Sequence, residues 1–252
     1  MRVCVSHTMH WFEITLIGFA TGAVGTGLGG SLALFLRRPS SRTLGMMLGF
    51  AAGIMLVVVF LELLPEGLET GFFYPALGLV LGILALLLLD ERFAHHHFVT
   101  TEIHHPTYAK KGVLIATGVA LHNFPEGLAI GAGFVASEAL GITLALLIAL
   151  HNMPEGLAAG IPLKSAGSRP RRIVLTTVVA GLPMGVGAMV GALLGTISPF
   201  MLGASLGFAA GAMLYIISDE LIPDVYRLTN PHVAIGGITA GVILGMVMVH
   251  FI

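Results

Sequence analysis

One cysteine, Cys4, stands in a chain of 252 residues. An intramolecular disulfide framework is therefore excluded, and so is any zinc or iron–sulfur site built from several thiolates. Any metal held here must use nitrogen and oxygen ligands. Charge is also scarce: Asp, Glu, Lys and Arg make up 10% of the residues, against about 25% in ordinary soluble domains. The formal net charge of −1 offers nothing to attract nucleic acid. What fills the chain instead is apolar, 56% of the residues, with a mean hydropathy of +0.96. A surface facing water could not tolerate this, so the solvent is expected to be a lipid bilayer.

A helix needs about 20 apolar residues to cross the hydrocarbon. Such runs lie near 11–36, 44–66, 72–90, 112–135, 139–163, 172–196, 200–223 and 232–252, which predicts an all-α polytopic membrane protein of eight transmembrane helices. The expectation is a single transmembrane transport domain, 1–252, interrupted by one longer loop, 91–111. The first run is too long for a signal peptide, and Arg37 and Arg38 follow it instead of preceding it, so it reads as a retained span. Lys and Arg of short loops stay cytoplasmic. Eleven of the twelve basic residues fall on alternate loops after the first, third, fifth and seventh spans, leaving Arg2 alone on the other side. Both termini are thus expected outside. Short loops and the lack of a targeting segment fit a bacterial inner membrane.

Two repeats emerge. Leu48–Leu56 (LGFAAGIML) and Leu206–Leu214 (LGFAAGAML) agree at eight of nine positions, and the register continues through Glu62/Glu220, Pro65/Pro223 and Glu66/Asp224. The second and seventh helices run in opposite directions, so the repeat is inverted. A tighter repeat joins His122-Asn-Phe-Pro-Glu-Gly-Leu-Ala to His151-Asn-Met-Pro-Glu-Gly-Leu-Ala. Together they describe three helices, a central antiparallel pair and three helices again, a 3+2+3 arrangement about an axis in the membrane plane. The glycines of 22–30 allow close helix approach and are read as packing.

His and Glu four residues apart share one helix face, so His122 goes with Glu126 and His151 with Glu155. An ionisable group at mid-bilayer costs about 2.5–3.5 kcal/mol even on the lenient scale. Four at one depth call for a compensating divalent cation, and two imidazoles with two carboxylates suit Zn, Fe(II), Mn, Co or Cd over Mg or Ca. Asn123 and Asn152 are candidates either as further oxygen ligands or as donors behind the ligands. Pro125 and Pro154 strip the Leu121 and Leu150 carbonyls of their helical donors, as in the broken helices of transporter sites. The alternative is that these side chains only bond between helices. Duplication at matching depth argues against that.

Glu62, Glu66 and Glu69 cluster at the outer end of the second helix, and Asp219, Glu220 and Asp224 at the inner end of the seventh. Acidic groups at a pore mouth concentrate cations. Glu62 and Glu220, nearest the membrane interior, are the expected gate or relay ligands. Solvated helix ends are the competing reading for Glu69 and Asp224. The loop after the third span carries His95, His96, His97, His104 and His105, a composition that binds metal or is merely polar.

HNFPEGLAIG, HNMPEGLAAGIPL and the eight-helix plan resemble the ZIP (Zrt-, Irt-like protein) family of divalent metal transporters over essentially the whole chain. The resemblance implies zinc, or iron, manganese or cadmium, moving into the cytoplasm through a site made by His122, Glu126, His151 and Glu155. It also implies that the asparagines can serve a second metal, and that the chain forms a homodimer. Many relatives carry a Glu in the sixth helix where Met184 stands here, in GLPMGVGA, which departs from a two-metal site. The metal is cargo, with no resident cofactor. A membrane-embedded metalloenzyme and a cation channel remain alternatives. Against the first, only two histidines are central and no HExxH motif occurs.

Overall fold

The computed structural model describes residues 9–36, 40–93 and 108–252. Among these described residues eight helices are long and apolar enough to cross a membrane: α1 Trp11–Phe35, α2 Ser41–Glu69, α3 Phe73–Glu91, α4 Tyr108–Ala136, α5 Glu138–Ser165, α6 Pro170–Gly195, α7 Pro199–Leu228 and α8 Pro231–Phe251. Among the described residues there is no strand. The histidine-rich loop expected to bind metal, His95 to His105, lies outside the described residues.

The helices begin where a side chain satisfies the first free amides. Ser40, Ser137, Ser198 and Asn230 each accept a hydrogen bond from the amide three residues on. His10 and Glu13 close a reciprocal capping box at the start of α1.

The middle of the bundle is α4 against α5, flanked by α1 and α6. α1 packs on α5 and α6, and α4 packs on α6. Two close approaches make this possible. A Cβ on Gly22 would collide with the Gly181 backbone of α6, and one on Gly156 of α5 with the Thr26 backbone of α1. Thr26 adds a hydroxyl bond to the Thr177 carbonyl of α6 at 2.8 Å. Outside this group α3 packs on α7 and α8 on α2, while α2 contacts α5 and α7 contacts α4. α3 and α8 are the peripheral helices, the least buried of the eight. Their outward faces carry Leu77, Leu81, Leu84, Leu88, Ile243 and Met246, a surface that water would penalise.

Three helices are irregular, each beside a proline. α6 is interrupted at Leu182, whose amide bonds the Val179 carbonyl three residues back, immediately before Pro183. α2 and α7 each contain a π-helical turn, Val58–Leu63 and Ile217–Leu221. These turns close with Leu64 N–H to Val59 O and Ile222 N–H to Ile217 O, five residues apart. Pro65 and Pro223 follow directly. Proline removes an amide and crowds the carbonyl four residues earlier, and one wider turn accommodates that crowding. α4 and α5, by contrast, run unbroken through Pro125 and Pro154.

Candidate metal centre

α4 presents His122, Asn123 and Glu126 to the bundle interior, and α5 presents His151, Asn152 and Glu155. All six are at most 1% exposed. The i, i+4 spacing points each His and Glu toward the neighbouring helices, so the bonds form between helices and not along them. His151 Nε2 meets Glu126 Oε1 at 3.1 Å, joining α5 to α4. His122 Nε2 meets Glu220 Oε1 of α7 at 3.0 Å.

Ligand atoms of Glu126, His151 and Glu155 lie within 4.8 Å of one another. Zinc bonds of about 2.0–2.2 Å in a tetrahedron separate ligand atoms by about 3.3 Å, so the three need only a modest contraction to share one ion. Among the described residues, Glu155 has no hydrogen-bond partner on either oxygen, and Glu126 Oε2 and Asn152 Oδ1 have none either. Buried oxygens without donors are costly. A cation held between them is the chemistry that relieves the cost.

The asparagines divide. Asn123 Nδ2 donates to the Val119 carbonyl at 2.8 Å and to the Ala180 carbonyl of α6 at 3.1 Å. Its Oδ1 accepts from Asn152 Nδ2 at 2.8 Å. Asn123 thus ties α4, α5 and α6 together, while Asn152 retains an oxygen for another partner. Met184, fully buried, sits where α1, α4 and α6 meet: a Cβ on Gly127 would strike its backbone, and one on Gly22 would touch its side chain.

Of the acidic residues expected at the mouths, Glu220 is part of this centre through His122. It lies on the π-turn of α7 with half-buried Asp219. Glu62 occupies the matching π-turn of α2 and is half-buried, as is Glu66, whereas Glu69 is exposed. Asp224 is fully buried and paired with Arg227 at 3.2 Å, which is not the environment of a solvated helix end. A bond unforeseen from sequence joins Tyr215 Oη of α7 to Asp90 Oδ2 of α3 at 3.1 Å. The doubled Glu62/Glu220 register is the one sequence signal that pointed toward the π-turns. A cleft of about 210 Å³, lined by Lys111, Ile115, Ala158, Ser165 and Leu228, runs between α4 and α5 at the end where α5 finishes.

Residues 95–252 match the family model described as ZIP zinc transporter. A zinc transporter ZupT of Chlorobium luteolum is 35% identical, with 91% of this chain and 94% of that protein aligned. A zinc transporter ZIPB of Bordetella bronchiseptica is 38% identical over 92% of this chain and 79% of its own length. A ZupT of Corynebacterium aurimucosum is 33% identical over 91% and 95%.

The chain belongs to the ZIP zinc transporter family.

As a ZIP protein it is an integral membrane protein for metal-ion transport, and the metalloenzyme alternative falls, because this is a family of transporters and not of enzymes. The buried Glu126–His151–Glu155 cluster of this ZIP chain is compatible with a metal-ion cargo.

Proposed function

We propose that this ZIP protein carries zinc into the cytoplasm across a bacterial inner membrane, through a site between α4 and α5. The observation that carries the reading is the buried Glu126–His151–Glu155 cluster, with ligand atoms within 4.8 Å of one another and Glu155 lacking any hydrogen bond among the described residues. His122 and Asn152 complete the donor set, and Asn123 holds the helices in place. With Met184 in the family's glutamate position, the site takes one ion. The N/O donors also accept iron, manganese or cadmium.

Metal enters past Glu66 and Glu62, reaches the central residues, and leaves by Glu220, Asp219 and Asp224 toward the histidine loop of His95, His96, His97, His104 and His105. The halves are related by the inverted repeat in a 3+2+3 plan, both termini face outside, and two copies associate as a homodimer in the lipid.

The test is zinc uptake into proteoliposomes under an inward gradient, wild type beside His122→Ala and Glu155→Ala. Saturable uptake that collapses in both variants supports the site. Flux linear in zinc would favour a channel, and uptake unchanged in both variants would refute the proposal.

A further inference from the structure

The two acidic segments are copies in fold as well as in sequence. LGFAAG at 48–53 recurs at 206–211, and Glu62 and Pro65 recur as Glu220 and Pro223. Each copy makes a π-turn closed by a bond across five residues. The packing partners follow the same exchange: α3 on α7 answers α8 on α2, α1 on α5 answers α6 on α4, and α2 on α5 answers α7 on α4. Exchanging α1 with α6, α2 with α7, α3 with α8 and α4 with α5 therefore leaves these pairings unchanged, although α6 also packs on α7. That exchange also turns His122 into His151, Glu126 into Glu155 and Glu220 into Glu62.

The side chains do not obey it. His122 is bonded to Glu220 and His151 to Glu126, yet Glu155 has no bond on either oxygen. Glu62 is half-buried, and no hydrogen bond of its side chain occurs among the described residues. A backbone with this internal symmetry and an asymmetric bond set has a second arrangement of the same bonds, equal in number and chemistry. Two arrangements so matched are the requirement for an element that switches.

We propose that Glu62 is a binding residue of the central site, taking His151 as its partner in the second arrangement as Glu220 takes His122 in this one. In that arrangement Glu155 bonds His122, and Glu126 becomes the carboxylate left to the ion. Each arrangement thus leaves one central glutamate with both oxygens open to the cation, the other sharing the ion through its remaining oxygen, and ties one π-turn glutamate to a histidine. The metal is handed between Glu126 and Glu155 as the histidines change partners. The inference rests on the transport reading for its purpose, but the exchange of partners can be read without transport.

The full chain carrying Cys4→Ser is made with three cysteine pairs: H122C/E220C, E62C/H151C and, as the crossed control, E62C/H122C. Each is treated in liposomes with a short bis-methanethiosulfonate and read by intact mass, which separates one bridge from two single adducts. The first two pairs bridge and the crossed pair does not. A bridge in H122C/E220C with none in E62C/H151C overturns the proposal. Should the cysteine pairs fail to fold, E62Q decides. Its zinc uptake falls about tenfold or more, the loss expected for one charge-assisted hydrogen bond, while E138Q, an exposed residue at the start of α5, stays at wild type. Wild-type uptake in E62Q overturns the proposal. No uptake by the wild type would defeat the transport reading instead, and the bridging result would still decide the exchange.

Discussion

Replacing Glu155 with Gln has opposite effects on the metal-free and the zinc-loaded protein. Glu155 is 0% exposed, neither of its oxygens has a hydrogen bond among the described residues, and a Glu126 oxygen lies within 4.8 Å. When both carboxylates are ionised, at no more than 4.8 Å apart they repel by about 3 kcal/mol or more at an effective dielectric constant near 20. Desolvation of the carboxylate costs several kcal/mol more. The amide has the same size and no charge, but it still lacks partners, at about 1–3 kcal/mol. The metal-free variant is therefore more stable than the wild type by about 3 kcal/mol or more, the surplus of the first two effects over the last. Zinc reverses the order. At a hundredfold excess over Kd a ligand stabilises its folded receptor by about 2.7 kcal/mol, and a variant missing a charged ligand forfeits most of this. Thermal unfolding of the full chain in detergent, with and without zinc, reads both signs. A lower midpoint for the metal-free variant, or an undiminished zinc shift, would refute the assignment of Glu155 as a ligand without a protein partner.

Asn123→Ala strands the Asn152 amide and the Ala180 carbonyl, so the metal-free midpoint falls by an amount equivalent to about 2 kcal/mol or more; an unchanged midpoint would show that the tie between α4, α5 and α6 is not structural. Gly156→Leu forces a side chain into the Thr26 backbone and costs at least the upper end of about 1–3 kcal/mol. Loss of the monodisperse peak on size exclusion is the expected result, and a normal peak would mean that α1 and α5 can separate without harm. Imidazole binds zinc only when neutral, so acid opposes loading: uptake is highest at the alkaline end and declines between about pH 7.5 and pH 5, where free imidazole gains its proton. A flat uptake profile over that range would exclude His122 and His151 as direct ligands.

The eight helices were legible because the demand is local: a run of apolar residues long enough for a bilayer needs no knowledge of its neighbours. The duplicated His-Asn-x-Pro-Glu-Gly segments were legible for the same reason, since matched depth follows from position within each run. Prolines were not. Pro125 and Pro154 leave α4 and α5 continuous, Pro65 and Pro223 accompany π-turns, and Pro183 interrupts α6. A proline announces a missing donor and a crowded carbonyl, but the response depends on what the adjoining helices allow.

The same limit hid the partners of the buried charges. Spacing places His122 and Glu126 on one face, yet which atom each meets depends on the helix opposite, and His122 meets Glu220, nearly a hundred residues away. Asp224 reads from its position in the chain either as a pore-mouth acid or as a solvated helix end, and its full burial in the bundle rules out the second. The duplicated sequence carries the reason. On the proposed exchange, sequence that is nearly the same in two places offers His122 and His151 equivalent sets of partners, and a choice between equivalent sets is made by the conformation and not by the residues. An asymmetric bond set on a duplicated sequence is therefore what a transporter caught in one of two states should display, and Glu62 and Glu155, neither with a side-chain hydrogen bond among the described residues, are the residues through which the proposed second arrangement would be reached.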